Sequence, residues 1–277
     1  MPIRGSTQVT GIFGFPVRHS LSPAMHNAAF GELEMDYVYV PFEVAPRDLK
    51  DATNAIGSMG ICGINVTIPH KENIIRFLDQ LGPLVKEIGS VNTVLNSAGK
   101  LTGYNTDAPG FLADLKNKGF RPVNSTALLF GAGGAGKAVA AALSMSGAKT
   151  IYITDTDAKK AQALAAKTPR AVFIPIDRWK KKLSSCGLLI NATPVGMHPG
   201  KAIILAAELP KRIFVYDLVY NRRTELSIEC RRKGVKYSDG LGMLLRQGAI
   251  AFELFTGKKA PVKVMEKALY KQLSLQI

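Results

Sequence analysis

Lys71 and Asp107 each close a turn-rich segment: Gly63-Ile64-Asn65-Val66-Thr67-Ile68-Pro69-His70-Lys71 and Gly103-Tyr104-Asn105-Thr106-Asp107. A lone lysine or aspartate is ordinarily a surface charge. At the rims of two strands the two together make a candidate proton-transfer pair. Asn65 and Thr67 leave the strand that leads to Lys71, and Gly89-Ser90-Val91-Asn92-Thr93 adds a further amide. Strand ends are where sites collect in α/β proteins. Upstream, Arg18-His19-Ser20-Leu21-Ser22-Pro23 sets two hydroxyls beside a helix start. Hydroxyls with free backbone N–H groups suit a carboxylate, although an ordinary N-cap accounts for Ser22 equally well. His19, His26, His70 and His198 have no metal-ligand spacing with a carboxylate or cysteine, so no metal is expected.

A different chemistry is written further on. Thr126-Ala127-Leu128-Leu129-Phe130 runs into Gly131-Ala132-Gly133-Gly134-Ala135-Gly136 and then an Ala-rich helical stretch. Strand, G-x-G-x-x-G turn, helix and second strand form the setting in which this pattern binds a dinucleotide. Gly131 permits the tight turn, Gly133 lets backbone approach a pyrophosphate, and Gly136 lets the helix pack on the strand. Free N–H groups at the helix start then face the phosphates. Asp155 lies 19 residues after Gly136, where a carboxylate accepts hydrogen bonds from the adenosine ribose and repels a 2′-phosphate. With Asp157 it leans to NAD, while Lys159 and Lys160 at the next helix start favour a phosphate. The plain reading of Asp155 is an N-cap.

Holding these groups in place requires alternating strands and helices, and the sequence supplies them, which predicts α/β architecture. Strands are expected at Gln8–Phe13, Tyr37–Phe42, Ile61–Ile68, Val91–Leu95 and Leu101–Asn105, the last two joined through Asn96-Ser97-Ala98-Gly99-Lys100. Helices are expected from Ser22 to about Leu33, over Asp48–Ser58 and over Lys71–Leu81, with Phe111–Lys118 as a connecting helix ended by Gly119. Strands at Thr126–Phe130, Thr150–Thr154, Val172–Ile176, Leu188–Asn191, Ile213–Asp217 and Val235–Tyr237 follow, then helices at Met243–Phe255 and Val262–Leu275. The expected division is a mixed-sheet α/β substrate domain over 1–108, a Rossmann-type doubly wound dinucleotide domain over 109–241 and C-terminal helices over 242–277. Residues 109–119 form the connecting helix, and the C-terminal helices pack back on the first domain.

With 277 residues, 47% of them apolar, the chain is long enough for two cores. No run approaches the roughly 18 to 20 uncharged residues of a membrane span. Met1–Ser6 lacks the apolar core of a secretory signal, and Cys62, Cys186 and Cys230 are too scattered for a disulfide framework. A cytoplasmic setting is therefore expected. The net charge of +15 divides into −2 over residues 1–110 and +17 over 111–277. A solvated basic surface is the plainer reading of that asymmetry than a polyanion site. Lys180-Lys181-Lys182, Arg222-Arg223 and Arg231-Arg232-Lys233 have no interleaved aromatics, which argues against nucleic acid. The partners expected are a small-molecule substrate, no nucleic acid and no membrane, with the chain a monomer or homodimer.

Taken in order, these clusters resemble shikimate dehydrogenase, of the shikimate/quinate dehydrogenase family, from about Val9 to Gly257. The motifs that carry the resemblance are His-Ser-Leu-Ser-Pro at 19–23, Asn-Val-Thr-Ile-Pro-His-Lys at 65–71, Val-Asn-Thr at 91–93 and Tyr-Asn-Thr-Asp at 104–107. The Gly-rich turn, Asn191–Met197, Asp217-Leu218-Val219-Tyr220 and Gly-Leu-Gly-Met-Leu-Leu-Arg-Gln at 240–247 complete them. The resemblance implies reversible reduction of 3-dehydroshikimate to shikimate by a nicotinamide cofactor, in aromatic amino-acid (chorismate) biosynthesis. It implies Ser20, Ser22 and Tyr220 at the substrate carboxylate, and Thr67, Asn92 and Gln247 at the ring hydroxyls or on its carboxylate side. Lys71 and Asp107 would be the catalytic pair, also touching substrate. Gly131, Ala132, Gly133, Gly134, Ala135, Asp155, Thr156, Lys160, Leu218 and Gly240 would contact NADP or NAD. Members using NADP usually carry Asn-Arg-Thr or Asn-Arg-Ser where this chain has Asp155-Thr156-Asp157, and a proline in the segment where it has Asn221-Arg222-Arg223. The alternatives are an NAD-dependent quinate/shikimate dehydrogenase, a non-catalytic nucleotide-binding relative, and a nucleic-acid binder.

Overall fold

The computed structural model describes residues 2–200 and 202–274. Residues up to Gly110 together with Leu244–Ser274 make one unit, and Phe111–Met243 make the other. Leu275, the expected end of the last helix, lies outside the described residues.

The first unit contains β1 (Gln8–Gly14), α1 (Ser22–Glu32), β2 (Tyr37–Glu43), α2 (Leu49–Ser58), β3 (Gly63–Val66), β4 (Gln80–Leu81), α3 (Pro83–Ile88), β5 (Thr93–Ser97) and β6 (Lys100–Tyr104). Its sheet has the order β2-β1-β3-β5-β6-β4, parallel from β2 to β3 and antiparallel where β5 meets β3 and β6, so it is the mixed sheet expected. Ile64, Val66, Ile74, Val91 and Val94 are buried together, with Leu49 and Ile56 of α2 over them.

Three local expectations are corrected here. Lys71–Leu81 is not a helix: Asn73–Phe77 makes a short 3-10 turn and Gln80–Leu81 joins the sheet. Ile74 is nevertheless buried, and Asp79 binds Leu101 by both its N–H and its carboxylate, which draws the chain into pairing with β6. The hairpin is tighter than expected, with Ala98 and Gly99 at φ of +53° and +86° in a two-residue turn. Ser22 is not the N-cap of α1; Leu21 is, and Ser22 lies inside the first turn beside Pro23. Its hydroxyl is thus not spent on capping.

The second unit follows from α4 (Asp107–Asn117), which begins earlier than the expected connecting helix, with Gly119 at φ +79° after it. Then come β7 (Thr126–Phe130), α5 (Gly134–Met145), β8 (Thr150–Thr154), α6 (Ala158–Lys167), β9 (Ala171–Phe173), α7 (Lys180–Leu183), β10 (Leu188–Asn191), β11 (Phe214–Asp217), α8 (Glu225–Lys233) and β12 (Lys236–Ser238). The sheet order β12-β11-β10-β7-β8-β9 is parallel throughout, the doubly wound arrangement expected. All-parallel strands are covered on both faces and read as continuous apolar runs. Leu128, Leu129, Leu188, Leu189, Ile190 and Val215 are fully buried in this way. The chain continues through α9 (Leu241–Thr256) to α10 (Val262–Ser274), which packs on α1.

His26 of α1 is fully buried, stacked on Tyr39 at 4.3 Å, and both its ring nitrogens lack a hydrogen-bond partner among the described residues. Burial lowers its pKa to about 3 from 6.5. Between those values the unfolded chain binds a proton that the folded chain does not. Stability is therefore lost as pH falls below about 6.5, by about 2 kcal/mol at pH 5. Urea unfolding at pH 7.5 and pH 5 is expected to show that loss. His26→Phe is expected to flatten the dependence, and an unchanged slope in that variant would assign the acid sensitivity to other groups.

Candidate active site

Lys71 Nζ donates to Asp107 Oδ2 at 2.6 Å, with side chains only 15% and 7% exposed, so the pair is largely shielded from water. Asp107 opens α4, and Lys71 follows the turn that leaves β3; the carbonyl of Lys71 also accepts the Val91 N–H. Asn92 holds the other carboxylate oxygen: its Nδ2 lies 3.0 Å from Asp107 Oδ1, 2.8 Å from Thr106 Oγ1 and 3.2 Å from Gln247 Oε1. The Thr106 N–H and the Thr93 hydroxyl donate to Asn92 Oδ1, which fixes which end of the amide faces Asp107.

Gln247 comes from α9, far along the chain. Gly110 of α4 makes that approach possible, because a Cβ there would lie 2.7 Å from the Gln247 nitrogen. Behind Asn92, Asn65 donates to the Asn92 carbonyl and to Thr93, and accepts from the buried Tyr39 hydroxyl at 2.8 Å. Burial raises the Tyr39 pKa well above that of a free phenol, so the hydroxyl remains a donor.

Thr67 stands one turn before Lys71, its N–H bound to the Phe13 carbonyl and its own carbonyl to the His70 N–H. A Cβ on Gly14 would press on the Thr67 methyl at 2.5 Å, so the close contact of β1 with this turn needs glycine. Ser20 and Ser22 lie where β1 gives way to α1, with the Ser22 N–H 3.3 Å from Ser20 Oγ. Ser20, Ser22, Thr67, Lys71, Asn92, Asp107 and Gln247 thus share the first unit. Neither Tyr39 nor Thr106 is among the residues to which the sequence motifs assign a role. Tyr39 sits mid-strand and carries no motif; Thr106, inside the Tyr-Asn-Thr-Asp segment, was open to notice.

The second unit holds the Gly-rich turn. Gly131 takes φ +104°, where a Cβ would meet the Ala192 carbonyl at 2.7 Å, and a Cβ on Gly136 would lie 2.1 Å from the Gly131 carbonyl. Gly133, the N-cap of α5, faces open space, which leaves its backbone free to meet a phosphate beside Gly134 and Ala135 at the helix start. Such a cradle fits a dinucleotide. Asp155 Oδ2 accepts the Ala132 N–H at 2.7 Å, while Oδ1 accepts the Asp157 N–H at 2.9 Å and the Thr156 hydroxyl. The N-cap of α6 is Asp157, not Asp155; its carboxylate accepts the Lys160 N–H, which lowers its pKa, and lies 3.5 Å from Lys160 Nζ.

Leu218 and Gly240 meet at the opposite side of the turn, where a Cβ on Gly240 would strike the Leu218 carbonyl at 2.2 Å. Tyr220 lies in the loop after β11 in this second unit. In the Asn221-Arg222-Arg223 segment, Arg222 forks onto Glu225 at 2.8 and 3.1 Å and donates to the Gly196 carbonyl. Among the described residues no group of three or more His, Cys, Asp or Glu could hold a metal ion, the three cysteines are unpaired, and no helix is long and apolar enough to cross a membrane.

Three family models match successive parts of the chain. They are the shikimate dehydrogenase substrate binding domain over residues 12–94, shikimate / quinate 5-dehydrogenase over 114–199 and the shikimate 5'-dehydrogenase C-terminal domain over 240–270. A curated shikimate dehydrogenase (NADP(+)) of Desulforamulus reducens is 45% identical, covering 98% of both chains. A crystal structure of a shikimate dehydrogenase in complex with NADP+ superimposes with a TM-score of 0.93 at 38% identity over 98% of both chains. The Listeria monocytogenes shikimate 5-dehydrogenase, in complex with shikimate and NAD, does so with a TM-score of 0.89 at 36% identity over 96% of this chain and 98% of that one. A buried Lys–Asp pair in one unit and a dinucleotide cradle in the other thus accompany full-length similarity, and the chain belongs to the shikimate dehydrogenase family.

Proposed function

We propose that the protein interconverts 3-dehydroshikimate and shikimate in aromatic amino-acid biosynthesis, with Lys71 and Asp107 as its catalytic pair. The observation that carries this reading is the 2.6 Å contact between them, buried among Asn92, Thr106 and Gln247. The nicotinamide, when bound on the Gly131–Ala135 cradle, supplies or accepts the hydride. Lys71 donates a proton to the ketone oxygen in reduction and takes one from the hydroxyl in oxidation, and Asp107 aims its Nζ. Asn92 and Gln247, with Thr67, offer donors and acceptors to the ring hydroxyls. Ser20 and Ser22 hold the carboxylate through charge-assisted hydrogen bonds.

For the cofactor we propose NAD ahead of NADP. Asp155, with Thr156 and Lys160 beside it on the rim, takes the adenosine ribose, and its carboxylate is held toward the turn by the Ala132 N–H. Leu218 and Gly240 take the other end. Initial rates with shikimate and quinate, each with NAD and NADP, test the whole reading. Faster turnover of quinate than of shikimate would instead make it a quinate/shikimate dehydrogenase.

Ser20→Ala is expected to raise the KM for shikimate about fivefold, roughly 1 kcal/mol, with kcat nearly unchanged, because a lost carboxylate hydrogen bond is felt equally in ground and transition states. Steady-state kinetics at saturating dinucleotide measures it, and an unchanged KM would place the carboxylate elsewhere.

A further inference from the structure

One buried side-chain pair in the second unit belongs to neither proposed site. Asn191 and Asp217 are the last residues of β10 and β11, opposite each other in register, and both are buried. Asn191 Nδ2 donates to Asp217 Oδ1 at 2.9 Å. Each then gathers the loop that follows its own strand. Asn191 Nδ2 also donates to the Val195 carbonyl, and Asn191 Oδ1 accepts from the N–H and hydroxyl of Thr193 at 3.1 and 2.6 Å. The Asp217 carboxylate accepts the Val219 N–H at 3.1 Å and the hydroxyls of Thr224 at 2.8 Å and Tyr237 at 3.4 Å. Thr224 is in turn the N-cap of α8, accepting the Ser227 N–H, so the chain from 217 to 224 is pinned at both ends. No cation lies within ion-pair distance of Asp217 among the described residues. An unpaired buried carboxylate is costly unless its oxygens are hydrogen-bonded, and here four neutral donors converge on it.

The two loops matter because of where they stand. Asp155 ends β8 on one side of β7, and β10 and β11 lie on the other side. A dinucleotide whose pyrophosphate sits at the β7–α5 turn, with its adenosine ribose at Asp155, must extend its other half over the ends of β10 and β11. The first loop touches that turn, the Ala192 carbonyl facing Gly131, and the second is joined to the first, the Leu218 N–H being bound to the Asn191 carbonyl, while Leu218 abuts Gly240. We propose that Asp217, acting with Asn191, is a positioning residue that holds the loops 192–197 and 218–224 in the arrangement that receives the nicotinamide half of the cofactor. The proposal rests on the dinucleotide reading above.

Three measurements on the full-length protein decide it. Asp217→Ala is expected to speed hydrogen exchange in 192–197 and 218–224 but not in 131–136. It is expected to lower kcat/KM for NAD at least tenfold, while the dissociation constant for ADP-ribose, which lacks the nicotinamide, stays within twofold. Asp217→Asn is expected to restore kcat/KM to within threefold. Its amide oxygen can keep the bonds from Asn191 and Val219, and its NH₂ can donate to the hydroxyls of Thr224 and Tyr237, which reverse to accept. Equal losses for NAD and ADP-ribose in Asp217→Ala would make the residue a general support of the fold and overturn the proposal. So would wild-type kinetics in that variant, or an Asp217→Asn protein as impaired as the alanine variant. Where Asp217→Ala does not fold, Asn191→Ala carries the test: faster exchange confined to 192–197 and at least a threefold loss in kcat/KM support it, and their absence overturns it. If wild type turns over neither shikimate nor quinate, the functional reading fails, and the exchange pattern with the NAD and ADP-ribose affinities still decides this one.

Discussion

Replacing Lys71 by alanine is expected to cut turnover by roughly two to four orders of magnitude, the range that general acid–base catalysis commands. The structure sharpens that expectation. The ammonium is the cation that meets Asp107, at 2.6 Å, and the other neighbours of Asp107 and Asn92 in this cluster are amides and hydroxyls that carry no charge. None of those groups is a ready proton donor to an alkoxide near neutral pH. The variant also leaves the buried Asp107 carboxylate without its cation, with Asn92 still bound to it, so the site presents a negative charge where the reduced ketone develops one. Both effects lower kcat. The nucleotide cradle lies in the other unit, so the affinity for the dinucleotide alone should be unchanged. Single-turnover and steady-state rates with titrated nucleotide measure the two separately. Retention of more than about a third of wild-type turnover would remove Lys71 from the chemistry.

Much of this site was legible in the sequence for a physical reason. The groups come from short segments in which turn chemistry, polarity and strand ends coincide, as in Asn65–Lys71 and Tyr104–Asp107. The strand, turn and helix around Gly131–Gly136 were legible because steric demands on glycine are local. What was not legible depends on contacts distant in sequence. Apolar spacing at Ile74, Ile75 and Leu78 suggested a helix, but those residues meet the core through a 3-10 turn and a return to the sheet, where Asp79 pairs with Leu101. The short α3 has ordinary boundary signals, Pro83 at its start and Gly89 at φ +69° after it, but only six residues to carry a helical pattern. Tyr39 was invisible because a tyrosine alternating inward on a strand looks like core, and only the fold brings its hydroxyl to Asn65. Asp217 stood in a noticed motif, yet its role needs Asn191, Thr224 and Tyr237 from three other segments.

Asp155→Asn combined with Thr156→Arg is expected to shift the ratio of kcat/KM for NADP over NAD upward at least tenfold. A 2′-phosphate brought to the wild-type rim meets the Asp155 carboxylate, which cannot turn away, because the Ala132 and Asp157 N–H groups and the Thr156 hydroxyl hold both its oxygens. Like charges about 4 Å apart cost on the order of 1 kcal/mol in water and more where the site is partly shielded. Asparagine removes that repulsion and keeps one acceptor, for the Ala132 N–H, while giving up the bond from the Asp157 N–H. Arginine at 156 then adds a planar donor fork, worth about 1.5 to 3 kcal/mol to a charged partner. Working against the proposed preference for NAD are Lys159 and Lys160, of which Lys160 contacts Asp157 through its N–H and at 3.5 Å through its ammonium. Lys159 and Lys160 are both exposed, and an exposed ammonium counts for less than the fixed carboxylate charge it must balance. Parallel kinetics of wild type and variant with both cofactors check this. A wild-type kcat/KM clearly higher with NADP would show that the lysines outweigh Asp155 and that the assignment of NAD is wrong.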